Sequence, residues 1–230
     1  MTELLLIRHA RSTANATGVL AGRTRGVHLD DAGKAQAREL ADFLASVPLT
    51  SIYSSPLERC METAKAVSSH HPKLTIYKDN QLLEMDYGQW SGQKLSALAK
   101  KKEWATIQSN PSQFRFPGGE SFLEMNARVN TAIDEIFLES SKGKARKIVA
   151  VCAHADVIKA ITAHSLGLHL DAFQRIVVDP ASVTILRQVG RSRFVVAQNV
   201  RASGIVGSLG LRESAAILGG GDGSSHKRIR

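Results

Sequence analysis

The chain reads as an α/β protein, a three-layer α/β/α sandwich whose central, mainly parallel sheet is covered by helices on both faces. Three observations predict it. Residues 4–7 and 148–152 are short, wholly apolar runs of the kind found in strands buried on both faces. Strand-like segments alternate with amphipathic helical ones along the chain. Each apolar run also leads within two residues to a histidine, His9 or His154, and a parallel sheet binds its ligands beyond the carboxyl ends of its strands.

Taken in order, the first strand covers residues 4–7 and stops where Arg8 and His9 begin, because a cation and an imidazole do not suit a strand interior buried on both faces. Guanidinium offers a rigid fork of donors to phosphate oxygens, and neutral imidazole is a nucleophile near pH 7. Residues 14–27 contain Gly18, Gly22 and Gly26 and read as a loop, whose Arg23 and Arg25 either line an anionic pocket or face water. Asp30 or Asp31 caps a first helix that carries Ala37, Leu40, Ala41 and Leu44 on one stripe and is closed by Pro48. Residues 50–53 form the second strand. Ser54 or Ser55 then opens a second helix with Pro56 and Arg59 in its first turn. A cation near the positive end of a helix is unfavourable unless an anion sits between them.

A third strand is expected at residues 73–77. Beyond it Glu84 stands among Leu82, Leu83 and Met85, with Tyr87 and Trp90 near enough to shelter it. A sheltered carboxyl holds its proton near neutral pH and serves as a general acid; the alternative is an ordinary surface glutamate. Residues 95–104 suggest a helix with Lys100, Lys101 and Lys102 on a solvated face, and residues 117–119 a turn. Ser121 begins a long amphipathic helix with Met125, Val129, Ile133 and Ile136 at core spacing. The second apolar strand comes next and runs into His154. A helix over residues 157–167 would then set His154 beside unpaired backbone donors, with His164 structural inside it. Two extended segments, 175–179 and 182–187, flank Pro180, and a last strand covers 193–197.

The 230 residues suffice for one core. The net charge, 30 − 21 = +9, suits an anionic partner without naming it. Cys60 and Cys152 are too few for a disulfide framework or a cysteine metal site. No apolar run reaches the length of a membrane span and no leader precedes the first strand, so a cytoplasmic protein with no membrane partner is expected. From Gly204 the composition turns to Gly and Ser and ends in a basic cluster. Residues 1–206 are therefore expected to form the catalytic domain and 207–230 a flexible tail, whose Leu209, Leu211, Ile217 and Leu218 could dock on a second subunit. If the two apolar strands are neighbours, His9 and His154 can share one phosphoryl group, with Arg8 and Arg59 on its oxygens and Glu84 on the departing one.

The ordered motifs RHARSTAN, SSPLERC, LLEMDYGQWSG, FPGGES and AHADVIK resemble those of the histidine phosphatase superfamily, the phosphoglycerate mutase-like proteins, from residue 3 to about residue 198. HLDAFQRIVVDPAS further resembles an actinobacterial branch of proteins named as phosphomutases. The resemblance implies a phosphohistidine nucleophile at His9, its flanking arginine at Arg8, a second arginine at Arg59, a proton donor at Glu84 and a second histidine at His154. Asn15 and Ser12 match phosphate-orienting positions. The resemblance fits phosphatase and mutase alike, in a family that often forms homo-oligomers; the short segment between Glu84 and Pro117, water as the default acceptor and arginines that would repel a divalent ion favour a metal-independent phosphomonoesterase acting on small phosphorylated metabolites, without a cofactor. The alternatives are a phosphoglycerate-type phosphomutase or, in another class, a protein that binds a phospholigand or nucleic acid without turnover. Nucleic acid is the weaker partner because interleaved aromatic and basic residues are few. The family usually has glycine after each histidine, where this chain has Ala10 and Ala155. Those methyl groups narrow the pocket and are tolerated only at negative φ.

Overall fold

The computed structural model describes residues 1–143 and 145–204. In chain order the elements are β1 (Thr2–Arg8), α1 (Thr13–Thr17), α2 (Asp31–Leu44), β2 (Ser51–Ser54), α3 (Glu58–Ser68), β3 (Ile76–Lys78), α4 (Leu95–Leu98), α5 (Glu103–Ser109), α6 (Phe122–Ser140), β4 (Lys147–Ala153), α7 (Ala155–Ser165), β5 (Val183–Val189) and β6 (Ser192–Val200). The six strands form one sheet in the order β3-β2-β4-β1-β5-β6. Its first four are mutually parallel and the last two antiparallel.

The two apolar runs become the central pair because each strand presents apolar side chains to both faces. Leu4 and Leu6 of β1 and Val149 and Val151 of β4 pack with Met125, Val129 and Ile133 of α6 and Val157 and Ile161 of α7. Leu5, Ile7, Ala150 and Cys152 point the other way, onto Ala37 and Leu40 of α2 and Ala64 and Val67 of α3. Helix starts are set by their caps: Asp30 accepts from Gly33 N ahead of α2, and Ser121 and Glu124 form a reciprocal capping box at α6.

Several boundaries depart from the sequence reading; the third strand, for one, is Ile76–Lys78 rather than 73–77. Arg8 is the last residue of β1 rather than the first beyond it, and is 2% exposed. Its burial is tolerated because Nη1 donates to Val178 O at 2.7 Å. Residues 13–17 of the expected loop form α1, capped by Ser12 and ended by Gly18 in the left-handed region at φ 63°. The second helix starts at Glu58, not at Ser54 or Ser55: Ser54 pairs with Cys152 in the sheet and Ser55 N bonds Cys152 O, so the ladder takes both serines. The expected helix over 95–104 divides into α4 and α5. Finally, the segment expected at 175–179 is not a strand: Arg175 ends a 3-10 helix over Leu170–Arg175, and residues 176–179 are irregular. Their backbone groups are taken by side chains: Val177 O by Gln198, Val178 O by Arg8 and Asp179 N by Asn199, which leaves no ladder to build.

The turn Asp179–Pro180–Ala181–Ser182, closed by Ser182 N to Asp179 O at 3.1 Å, holds Ala181 at φ 57°. A methyl-bearing residue is strained there, yet the conformation directs Ala181 N at Arg8 O, 3.2 Å away. The tail expectation for 207–230 lies outside the described residues.

Candidate active site

Register assembles the site. Arg8 of β1 pairs with Ala153 of β4, so the next residues, His9 and His154, leave the sheet side by side, ring centroids 5.3 Å apart at 67°. Hydrogen bonds set both tautomers. His9 Nδ1 donates to Ala10 O at 2.8 Å, which leaves Nε2 with its lone pair, and Arg59 Nε donates to that lone pair at 3.3 Å. His154 donates from Nε2 to Ser55 Oγ at 2.9 Å and accepts at Nδ1 from Arg59 Nη2 at 3.3 Å. Burial, reinforced by Arg59 and Arg8, pulls the His9 pKa well below the ordinary histidine value. Burial and then Arg59 do the same to His154. Both rings are therefore neutral at physiological pH.

Arg59 sits in the first turn of α3 and is 1% exposed. Its Nη2 donates to Gly22 O at 2.7 Å, while Nη1 is buried and unpartnered among the described residues. Gly22 is glycine for steric reasons: at φ 52°, a Cβ there would lie 2.9 Å from both Ser91 Oγ and Tyr87 Cδ2. A buried guanidinium with an open donor at the positive end of a helix is a receptor for an anion.

Glu84 is 4% exposed, and its pKa is pushed up to about 7 by burial and then by Asp156, against the pull of Arg59. Its Oε2 stands 3.9 Å from His154 Nδ1 and its Oε1 accepts from Met85 N at 3.0 Å. The shelter read from Leu82, Met85, Tyr87 and Trp90 is present, since all four are buried. The loop itself is held by arginines. Arg23 Nε donates to Glu84 O at 2.9 Å, and Arg128 Nη1 donates to Leu83 O at 3.0 Å. Glu120 joins the two, bonded to Arg23 Nη2 at 3.0 Å and to Arg128 Nε at 2.8 Å. The turn at 117–119 closes on the same loop backbone to backbone: a Cβ on Gly119 would lie 2.3 Å from Asp86 O. Arg23 thus neither lines an anion pocket nor simply faces water; it braces the glutamate.

Ser12 and Asn15 line the same small cleft as His9, Arg59 and Glu84, about 20 Å³ in volume. Ser12 Oγ donates to Asn15 Oδ1 at 2.9 Å, and Ser12 N donates to the same oxygen at 3.0 Å. That fixes the Asn15 amide with its NH2 group as the end left to meet a ligand. Ala10 and Ala155 are buried, and neither has positive φ, so the methyl groups that replace the family's glycines bring no backbone strain. Lys100, Lys101 and Lys102 are exposed, as expected of a solvated face. His164 is exposed too, which corrects its reading as structural: it lies in the last turn of α7, away from the buried stripe. Among the described residues no group of three His, Cys, Asp or Glu could hold a metal ion, and no helix is long and apolar enough to cross a membrane.

Sequence reasoning misses four participants. Ser55 reads as a helix cap, not as the acceptor for His154. Thr63 accepts from Ala10 N at 3.1 Å and so fixes the loop after His9. Glu120 and Asp156 acquire their roles only through residues distant in sequence, so no local pattern marks them.

A small cleft at the carboxyl ends of parallel strands, lined by His9, Arg59 and a carboxyl whose pKa is raised to about 7, with neutral His154 and buried Arg8 beside it, suits phosphoryl chemistry. The chain belongs to the histidine phosphatase superfamily (branch 1), whose pattern matches residues 4–201. It is 30% identical over 205 residues to phosphoserine phosphatase 1 of Hydrogenobacter thermophilus, covering 87% of this chain and 93% of that one. It is 32% identical over 153 residues to an uncharacterized protein of Mycobacterium tuberculosis, covering 65% and 72%. Among solved structures, Bacillus stearothermophilus YhfR superposes with a TM-score of 0.79 at 25% identity, over 86% of this chain and 97% of that one. The general activity is that of a phosphomonoesterase working through a histidine-centred site.

Proposed function

We propose that the protein hydrolyses phosphate monoesters of small metabolites in two steps through a phosphohistidine on His9. The observation that carries this reading is the fixed tautomer of His9, whose Nε2 lone pair lies beside the Arg59 guanidinium in the cleft. In the first step Nε2 forms a bond to phosphorus as the ester P–O bond breaks. Arg8, Arg59, His154 and Asn15 face the nonbridging oxygens, and the Glu84 proton goes to the leaving alkoxide. In the second step Glu84, now a carboxylate, takes a proton from water as its oxygen attacks phosphorus and the P–N bond breaks. Inorganic phosphate leaves, and both groups return to their starting states.

The sign of the pH dependence is set by Glu84. The first step needs it protonated, so with alkyl phosphates kcat/KM falls as pH rises through about 7. His9 is already neutral there because its pKa is lowered, and its own protonation contributes only at much lower pH. Glu84→Gln, which cannot give up a proton in this way, should lower kcat/KM by roughly 10²–10³ with alkyl phosphates and by less than about tenfold with aryl phosphates, whose leaving groups need little protonation.

Water is the favoured acceptor over a second substrate hydroxyl because the cations around the cleft are committed elsewhere: Arg23 to Glu120, Lys94 to Thr17 O, and Lys101 over the Trp90 ring. On this reading the enzyme works in the cytoplasm, where small phosphorylated metabolites are made and consumed, as one catalytic domain over 1–206. Purified protein should release inorganic phosphate from a panel of small phosphomonoesters that includes phosphoserine and 3-phosphoglycerate. Stoichiometric isomerisation of the phosphoglycerate with negligible phosphate release would instead make it a mutase.

A further inference from the structure

Behind the cleft lies a second set of buried polar groups that the two-step reaction does not use. Asp156, in the first turn of α7 and fully buried, accepts the Tyr87 hydroxyl proton at Oδ2, 2.8 Å away. Its Oδ1 stands 3.4 Å from Lys159 Nζ, one turn along the same helix. Lys159, 2% exposed, in turn donates to Gln174 Oε1 at 3.0 Å and lies over the Phe173 ring. Burying a carboxylate and an ammonium in a core is costly, and Coulomb attraction offsets the cost only with good geometry and further hydrogen bonds. A well-packed apolar pair would serve stability as well. The pair is linked to the proton donor through two neighbours. Tyr87 belongs to the Glu84 loop, and His154, two residues before Asp156, stands 3.9 Å from Glu84.

We propose that Asp156 is a positioning residue for Glu84: clamped by Tyr87 and Lys159, it sets a fixed negative charge behind the general acid and keeps the proton on it until the leaving oxygen needs it. The inference rests on Glu84 being the proton donor. Several groups act on Glu84. Arg8 from β1 and Arg59 from α3 are cations that favour its ionised form, and His9 and His154 are neutral neighbours. Arg23 and Arg128 bond the carbonyls of Glu84 and Leu83 and are themselves matched by Glu120. Against the two arginines that face the phosphate site, Asp156 is the charge acting in the opposite direction. The pKa of Glu84, raised first by burial and next by Asp156, agrees with that role.

The test is the pH profile of kcat/KM with an alkyl phosphate, set beside an aryl phosphate. Asp156→Asn keeps the shape and an acceptor for Tyr87 but removes the charge and leaves Lys159 unmatched. The fall in rate on the alkaline side should move down by about one pH unit or more, while the aryl profile stays within a few tenths of a unit. Lys159→Met leaves the Asp156 charge without its cation and should move the same limb upward. A purely structural role would lower both substrates' rates alike and leave the limb in place in both variants, and that result overturns the proposal. If Asp156→Asn fails to fold by its thermal melt, Lys159→Met decides: an upward shift supports the inference, and an unmoved or lowered limb refutes it. Glu84→Gln with full rate on alkyl phosphates would instead refute the reading beneath it, whatever the other two variants do.

Discussion

Helix α7 has a histidine at each end, and the two ends of the sheet they mark differ in kind. At the N-terminal end His154 is fully buried, bonded to Ser55 and Arg59, and stands beside the cleft of about 20 Å³ that His9 and Glu84 line. At the C-terminal end His164 is exposed and borders a groove of about 580 Å³ with Asp134, Gln188, Arg191 and Arg193, beneath the β5–β6 turn. By size alone the groove would be the site. Its charges, however, are solvated or paired near the surface, as Arg193 is with Asp134, where an ion pair contributes little. In and beside the small cleft two arginines, two imidazoles and a carboxyl are almost wholly desolvated, and desolvation is the first cause that lowers the histidine pKa values and raises that of Glu84. Chemistry follows buried charge here, not volume.

Substitutions at the two ends should separate by orders of magnitude. His9→Ala removes the proposed nucleophile and should lower kcat on the order of 10⁴-fold or more, whereas His164→Ala should leave kcat within about twofold, in a steady-state assay of phosphate release. A large loss in His164→Ala would make the groove, not the cleft, the place to look for chemistry. Arg59→Lys keeps one charge but loses the fork that reaches His9, His154 and Gly22 together, and a loss of roughly 10²–10³ in kcat/KM is expected. The smallest effect concerns the strained turn beside the site. Ala181→Gly should relieve the positive φ and raise stability by about 0.5–1 kcal/mol in a denaturant melt, with activity nearly unchanged.

How far the sequence reaches depends on the range of the forces involved. The central strands and α6 are legible because apolar periodicity is a local signal, and the histidines at the two strand ends become neighbours as soon as β1 and β4 are paired. Arg8, Arg59, Glu84, His9, His154, Ser12 and Asn15 all come to one end of the sheet. The reading fails where a backbone group finds a distant partner. Ser55 looks like a cap until β4 claims its amide, residues 175–179 look like a strand until Arg8, Gln198 and Asn199 take the hydrogen bonds of 177–179, and Arg23 reads equally as a pocket residue or a solvated one until Glu120 reaches it. Asp156 is a further case, since nothing in AHADVIK shows that Tyr87, 69 residues earlier, will donate to it.

The proposed mechanism turns on His9 Nε2 carrying the phosphoryl group between ester and water. The decisive experiment mixes the protein with a labelled small phosphomonoester, quenches in base to preserve phosphohistidine, and maps the label by mass spectrometry. Label is expected on His9 in the wild type and nowhere in His9→Ala, which should also fail to turn over. Label on another residue, or full turnover by His9→Ala, would refute the phosphohistidine route.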